Sequence, residues 1–468
     1  MSGFMGTPGL VARREFTEVW RDGRLLLAGG LVLVLLVTAL AVGWQQQRST
    51  DSERRAAQAL DYDDWLKQDA RHPHDAAHQG LHVFKPEPPL AIVDPGITPY
   101  VGSTLWLQAH RQSELRFRPA QDATGLQRFG SLSVAWVLQV LAPLLVIVLG
   151  FNAFAGEREQ GTLRQSLSLG VSARQLLWGK ALALFAGLGV FLLPVLAAAA
   201  VAVALSSARG GDAWLRLGAL AAGYGLYLGI AVFGVLAVSA LAGSSRMALI
   251  VLLALWIVGA TLAPRAVSDL AREAYPSPSR QAFNRSLDGD LSTAYARAWK
   301  EQLGTDKRWG AELPLNRWGL ALRIDDEAGY GVTDQHFGAL WDSFANQQRL
   351  QEWAGLALPL LALRAYSMGL AGTDFAAHRD FSVAAEKQRR VMQDLISDDL
   401  VAHADPLGHQ HFSYQADKTL WAKVARFDYR PASAGESLSA NRRSFAVLLF
   451  GFVATVLFAA WAAGARKP

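Results

Sequence analysis

Six apolar runs of membrane length constrain this chain more than any other feature of its 468 residues. The hydrocarbon core of a bilayer takes about 20 helical residues to cross, and inside lipid every backbone N–H and C=O must be satisfied within the protein. Runs of this length therefore predict helices, and the predicted fold class is an all-α polytopic membrane protein. The six predicted spans are Leu25–Trp44, Leu132–Ala155, Leu177–Ser206, Trp214–Ala242, Met247–Ala263 and Phe445–Gly464.

Basic residues lie beside one set of span ends, and they predict the orientation of the chain. Cytoplasmic loops carry an excess of Lys and Arg, so the side that holds these residues is predicted to be the cytoplasm, with both termini there. The residues concerned are Arg13, Arg14, Arg21, Arg24, Arg158, Arg164, Arg174, Arg246, Arg466 and Lys467. Two long stretches then face the opposite side: the first polar segment, residues 45–131, and the second polar segment, residues 265–443.

The two regions on either side of the first span, residues 1–24 and 45–131, are predicted to contain different kinds of secondary structure. Residues 1–24 are predicted to form a cytoplasmic amphipathic helix on the membrane interface, with a solvated extension as the alternative. The first polar segment is predicted to begin as a helix over residues 45–75. Prolines and glycines then exclude a long helix, and short strands are predicted around Ala91–Val93 and Leu105–Leu107.

The second polar segment is predicted to be a mainly helical folded domain, with helices at Leu270–Gly304 and Phe375–Val401. Its residues Trp353–Gly372 are nearly long enough to cross a membrane. Arg364 near their centre would cost about 2.5–3.5 kcal/mol in lipid on insertion scales. We therefore expect a helix that is buried in this domain or lies at the interface, with a seventh span as the alternative. Residues 444–468 are predicted to hold the last span and a short cytoplasmic tail.

A polar loop, residues 156–177, interrupts the four consecutive spans of residues 132–264. Its start, Glu157-Arg-Glu-Gln-Gly-Thr-Leu163, predicts a sharp turn that leads into a short amphipathic helix. Such a helix, parallel to the membrane and edged with carboxylates, suits the docking of a soluble motor, and an ordinary solvated loop is the alternative. The candidate residues are Glu157, Arg158, Glu159, Gly161, Thr162 and Leu163.

This motif, followed by Gly179-Lys180 at the foot of the third span, resembles the type-2 ABC transporter permease family. The order of inner-leaflet helix, span, polar segment and four spans is similar to that family as well. The large insertion before the last span resembles a bacterial subfamily with a domain of uncharacterised function. The stretches that carry this second resemblance are Asp94-Pro-Gly96, Tyr100-Val-Gly102, His110-Arg111, Phe129-Gly130 and Leu370-Ala-Gly-Thr-Asp-Phe375.

The resemblance implies a multi-pass permease subunit of an ATP-driven exporter in the bacterial cytoplasmic (inner) membrane, with periplasmic polar segments. In this family the loop 156–177 would hold the coupling helix that contacts the ATP-hydrolysing subunit. The chain has no G-x-x-x-x-G-K-[ST] loop, so ATP is expected to be bound by a separate ATP-binding subunit, and no cofactor or catalytic residue is expected here. The other expected partners are membrane lipids and a second permease, either an identical copy or a relative. Ionisable residues are rare in the spans, which favours an amphipathic substrate.

Several histidines of the first polar segment are candidate metal ligands. His74 and His78 are four residues apart, one face of a helix, and His82 follows closely, so these three are the metal-site candidates. Pro73 and Gly80 interrupt a helix there, and turn-forming structural histidines are the favoured interpretation, with no metal predicted. The acidic runs 325–327 and 398–399 are predicted to be solvated.

Two other classes of function remain open at the sequence level. A scaffold protein that uses the same ATPase to remodel a complex would share the coupling helix, and a periplasmic metal-handling protein would use the histidines. The absence of cysteine excludes disulfides and thiol chemistry. Basic residues are not interleaved with aromatic ones, so nucleic-acid binding is not predicted.

Overall fold

The computed structural model of the protein describes residues 6–116, 118, 132–205, 210–305, 307–308, 313, 315–403 and 413–465. This part of the chain is mostly helical, and it contains six helices that are long and apolar enough to cross a membrane, as the apolar runs predicted. Phe129-Gly130, Arg466 and Lys467 lie outside the described residues. The six candidate spans are α2 (Leu25–Lys67), α5 (Val134–Glu159), α7 (Ala173–Leu205), α8 (Gly211–Leu241), α9 (Ser245–Ala274) and α16 (Arg442–Ala465).

The structure also describes other helices and two strands outside these spans. An amphipathic helix is present at the N-terminus, and the predicted polar helix at 45–75 is the continuation of α2 to Lys67. The remaining elements are α1 (Thr7–Arg21), α3 (Pro73–Gln79), β1 (Leu81–Phe84), α4 (Thr98–Val101), β2 (Thr104–Leu107), α6 (Thr162–Ser168), α10 (Arg280–Leu303), α11 (Leu315–Ala354), α12 (Pro359–Ala371), α13 (Phe375–Ala402), α14 (Lys418–Trp421) and α15 (Ala434–Ala440).

The first polar segment differs in part from its prediction. β1 and β2 pair antiparallel, with Leu81 opposite Leu107, so the strand predicted at Leu105–Leu107 is confirmed. The strand predicted at Ala91–Val93 is wrong, because this stretch lies on a 3-10 turn at Pro89–Ile92. Pro89 has no N–H to donate to a ladder and its φ is fixed, which favours the turn.

Two helical stretches of the second polar segment are interrupted in the structure, although the sequence predicts each as continuous. The predicted helix Leu270–Gly304 is interrupted between α9 and α10, where Pro276 and Pro278 lack backbone donors. Residues 353–372 divide between the end of α11 and the separate helix α12. At 13 residues, α12 is about 20 Å long, which is too short to cross the roughly 30 Å hydrocarbon core.

Two large hydrophobic clusters organise the described residues. One lies among the candidate spans and includes α12, whose side chains are mostly buried against α8 and α16. The other joins residues from both polar segments, so that these segments share one core, here called the polar domain. At its centre the Trp65 indole N–H donates to the Trp421 carbonyl at 3.0 Å, and the two rings pack edge to face. Segments about 350 residues apart in sequence therefore fold as one unit.

Helix α8 relies on small residues where it meets α12. A Cβ placed at Gly223 would lie 2.4 Å from Tyr366 Cε1. Tyr366 has little room to move, because it is 1% exposed and its hydroxyl donates to the Ala219 carbonyl at 3.1 Å. Small residues of this kind let helix backbones approach closely in lipid.

We expect Gly223→Ala to destabilise the purified protein by about 1–3 kcal/mol, since overpacking forces Tyr366 from its site. The measurement is the midpoint of thermal unfolding in mild detergent. Gly225→Ala on the same helix is the matched control, because no heavy atom lies within 4 Å of the added Cβ. Equal midpoints for the two variants would contradict this packing.

Candidate functional site

The loop motif forms two short helical pieces joined by a tight turn. The last turn of α5 spans Ala155–Glu159, and α6 begins at Thr162. Gly161 between them has φ 76°, a left-handed conformation that favours glycine. The Thr162 hydroxyl donates to the Glu157 carbonyl at 3.3 Å, which closes the turn. Leu163 is buried in the cluster among the spans and fixes α6 against it.

Lys180 of α7 forms a buried ion-pair network with two carboxylates. Its Nζ donates to Glu15 Oε1 of α1 at 2.7 Å and to Glu157 Oε1 at 2.9 Å. The lysine side chain is 1% exposed, and Nζ lies 5.5 Å from the centre of the Phe154 ring. Burial raises the pKa of Glu15, while the nearby ammonium acts in the opposite direction. The network ties α1, α5 and α7 together.

The next two residues of the motif bind other helices. Arg158 donates to the Ala240 and Ala242 carbonyls at 2.8 and 2.9 Å, which satisfies the free C-terminal carbonyls of α8. Glu159 accepts from the backbone N–H of Ser245 at 3.0 Å and from its hydroxyl at 2.7 Å, at the N-terminus of α9. Carboxylates are favoured at that helix end. Three consecutive charged residues thus contact α7, α8 and α9, and Lys180 extends these contacts to α1 through Glu15. We call this set of contacts the hub.

The exposed surface of the loop differs from the expected carboxylate edge. The Glu157 side chain is only 15% exposed because it faces Lys180, and the exposed Glu159 is held by Ser245. The surface that faces outward on α6 carries Arg164, Gln165 and Ser168, with Leu169 at its C-terminal end 83% exposed. This outward face is polar and basic rather than acidic.

Glu15, Lys180 and Ser245 complete the hub, and sequence reasoning gave none of them this role. Lys180 offered a usable signal, because a lysine between the apolar residues of a span foot needs a partner when it is buried. Glu15 and Ser245 carried none, since exposed acidic and hydroxyl residues on polar helices are common.

Only two of the three candidate histidines lie together. His74 and His78 share one face of α3, and His74 Nε2 lies 3.0 Å from His78 Nε2 and 3.2 Å from His110 Nε2. His82 does not join them, because its Nδ1 contacts Asp61 Oδ1 at 2.7 Å and its ring stacks on Trp106. His110, which no sequence pattern marks as a ligand, is the third member. We call His74, His78 and His110 the histidine cluster.

The histidine cluster lies where the two polar segments meet. The His74 ring packs edge-on against Trp318 of α11, 4.9 Å between centroids. Burial and the neighbouring histidines lower the pKa of His74 to about 3. Burial, with His78 and nearby arginines, lowers the pKa of His110 to about 4. A cavity of about 440 Å³ lies beside the two rings and also contacts Tyr295.

The acidic pair on α11 is buried, so its predicted solvation is wrong. Asp325 accepts from the Trp299 indole N–H at 2.7 Å and from Arg308 at 2.5 Å. Burial raises the pKa of Asp326 to about 7. The prediction failed because α11 packs with both residues turned inward. Trp299 and Arg308 donate to Asp325, and the positive charge of Arg389 acts on Asp326.

The fold and the hub define a polytopic helical membrane protein whose charged loop joins several spans at one end. The family model of ABC-2 family transporter proteins matches residues 10–313, well over half of the chain, and the chain therefore belongs to this family. A second model, a domain of unknown function (DUF3526), matches residues 271–430. A search of curated proteins gives no match.

Membership in the family confirms the predicted resemblance. The protein is a membrane permease component of an ABC transporter, and the family implies association with an ABC ATP-binding subunit. The permease is the membrane transport component and is not itself the catalytic one. The two matches overlap over residues 271–313, a range that includes the end of α9, the turn after it and α10.

We expect Lys180→Met to detach α1 from α7. Removing one partner of a buried ion pair costs about 3–5 kcal/mol, because the carboxylates of Glu15 and Glu157 stay buried without their cation. Amide hydrogen exchange in α1 should then accelerate by at least about tenfold. Arg174→Met, which removes an exposed cation from the same helix, is the control and should leave α1 protected. Unchanged protection in Lys180→Met would show that apolar packing alone holds α1.

Proposed function

We propose that this chain is the permease subunit of an ATP-driven exporter, and that the hub receives the movement of a separate ATP-binding subunit. One observation carries the proposal: Glu157, Arg158 and Glu159 are consecutive, yet each binds a different part of the bundle. A displacement of this turn acts on α1 and α7, on α8 and on α9 at once. An ordinary solvated loop would need no such contacts.

The hub is suited to transmit force because its contacts are costly to break. Charge-assisted hydrogen bonds are roughly twice as strong as neutral ones. The turn and the helix ends that it contacts are therefore expected to move as one body. Spans α5 and α7 contain Pro143 and Pro194 respectively, and such prolines allow helices to bend.

The docking surface is proposed to be the outward face of α6 and the residues next to it. Arg164 and Gln165 project from this face and Leu169 follows it, while Leu163 anchors the helix from below. An exposed leucine beside an arginine is a suitable centre for a protein contact, since apolar anchors and arginines contribute much of the binding energy at interfaces. The roles of Gly161 and Thr162 are then to shape the turn that presents α6.

The positions of charges support a cytoplasmic location for the hub. Arg24, Arg158 and Arg246 lie at the same end of the bundle as α6, and cytoplasmic loops are enriched in such residues. Helices α8 and α16 run in the same direction, because Gly229 of α8 faces Phe452 and the later Gly234 faces the later Thr455. We propose that both termini are cytoplasmic, that the polar domain is periplasmic and that the membrane is the bacterial inner membrane.

An apolar cavity between α7 and α8 supports an amphipathic substrate. It has a volume of about 280 Å³ and is lined by Phe185, Leu192, Leu217 and Tyr224, among others. A scaffold that only remodels other proteins has no need of such a lined space, so the cavity favours the exporter. Many apolar side chains of α2, α9 and α16 are exposed, including Leu31, Leu255 and Phe450. They are proposed to face lipid or a second permease, identical or related, in a dimer.

The test is co-purification of the ATP-binding subunit from the native membrane in mild detergent. The chain should bring down a protein that carries a G-x-x-x-x-G-K-[ST] loop, together with ATPase activity. The double variant Arg164→Glu/Leu169→Glu should lose both, because it places charge at the centre of the proposed contact. Arg430→Glu, at an arginine whose side chain is 89% exposed in the polar domain, is the control.

The surface variants test docking more cleanly than charge reversal at Glu157 and Glu159 would. Both glutamates bind residues within the permease, so reversal there would also disturb the bundle. If the surface variant retains the ATP-binding subunit at the level of wild type, α6 is not the docking surface. Loss in the Arg430→Glu control as well would show that the effect is not specific to the loop.

A further inference from the structure

We propose that His74, His78 and His110 bind a first-row transition-metal ion, with Zn²⁺ the ion that the donor set fits best. The proposal rests on the histidine cluster in the polar domain and is independent of the hub. All three imidazoles present nitrogen atoms within 4.8 Å of one another. Imidazole nitrogen is a preferred ligand for zinc, copper, iron and nickel rather than for calcium or magnesium.

The spacing of the nitrogens matches a metal site. Zinc binds histidine nitrogen at about 2.0–2.1 Å in tetrahedral geometry, which places two ligand nitrogens about 3.3 Å apart. His74 Nε2 lies 3.0 Å from His78 Nε2 and 3.2 Å from His110 Nε2. Two of the three nitrogen pairs therefore already lie near the separation that a common ion would require, and the third pair is within 4.8 Å.

Hydrogen bonding alone does not account for this convergence. In a neutral imidazole each ring nitrogen either carries one proton or offers one lone pair. His74 Nε2 faces two other Nε2 atoms. A single proton or a single lone pair on His74 Nε2 can form a well-aligned hydrogen bond with only one of them. A cation placed between the rings would use a lone pair from all three. A bound metal ion thus accounts for the convergence of the three imidazole rings, which hydrogen bonds between them do not.

The chain places these rings by two local devices. His72 caps the start of α3 by accepting from the His74 N–H at 3.3 Å, which positions His74 and His78 one turn apart on the same face. His110 has φ 67°, the single left-handed non-glycine residue in the part of the chain that the structure describes. This backbone conformation directs its ring toward α3 at the cost of some strain.

The surroundings favour an accessible ion rather than a closed structural site. Zinc sites that serve chemistry or exchange keep three protein ligands and one open position, whereas structural sites have four. His74 and His110 border the 440 Å³ cavity that also contains Asp288, Tyr295 and Asp326. The open position would face this cavity, so a water molecule or a small anionic ligand has room to complete the coordination.

The experiment measures zinc binding to the full-length protein in mild detergent, purified with an affinity tag that contains no histidine. After treatment with a chelator and its removal, equilibrium dialysis against buffered Zn²⁺ should give one ion per chain. The variant His74→Gln/His110→Gln should bind zinc at least about tenfold more weakly. His82→Gln is the matched control, since His82 lies in the same segment and pairs with Asp61 instead.

Co²⁺ added to the wild-type protein provides a second test that needs no variant. A three-histidine site with an open position should give the intense visible bands of four- or five-coordinate cobalt, and Zn²⁺ should abolish them. Weak octahedral bands, or no stoichiometric zinc, would overturn the proposal. So would undiminished zinc binding by the double variant. The ATPase co-purification described above reports on the hub alone, so its failure would leave this result unaffected.

Discussion

The ammonium group of Lys180 is the contact on which the loop end of the molecule depends. It lies beneath the bundle surface between Glu15 and Glu157, and both distances are below 3 Å. A buried cation is costly unless its partners remain in place, so α1, the end of α5 and the foot of α7 are held in one arrangement. Arg158 and Glu159 extend the same arrangement to the ends of α8 and α9. A partner that moves this turn therefore acts on most of the bundle.

A second polar network joins α5, α8 and α12 to the first polar segment. The Gln139 amide donates to the Tyr224 hydroxyl at 3.0 Å, Tyr224 bonds Ser367 at 3.0 Å, and Ser367 donates to Asp94. All four side chains are buried, so this chain of bonds is shielded from water and correspondingly strong. Helix α12 thus links α5 and α8 to Asp94 of the first polar segment.

The sequence predictions were mostly correct where neighbouring residues determine the structure, and wrong where distant residues do. Span number was predictable because about 20 consecutive apolar residues need no distant partner to be recognised. The strand at Leu105–Leu107 was found, whereas Ala91–Val93 was mistaken for a strand although Pro89 sets a 3-10 turn there. The buried pair Asp325 and Asp326 was misjudged as solvated, since charge on a helix usually faces water. The donors to Asp325, Trp299 and Arg308, lie on other parts of the chain.

The sequence by itself determined the class of the protein: the apolar runs require membrane helices, and the Glu157–Leu163 motif marks the family. The tertiary structure decided what each polar residue contacts. Glu157 turns inward because the ammonium group of Lys180 meets it there, and the same ammonium binds Glu15, which is 165 residues away in sequence. His110 rather than His82 completes the histidine cluster, because the end of β2 returns beside α3. Periodicity and hydropathy are properties of neighbouring residues, whereas a charge or an imidazole finds its partner only when distant helices pack.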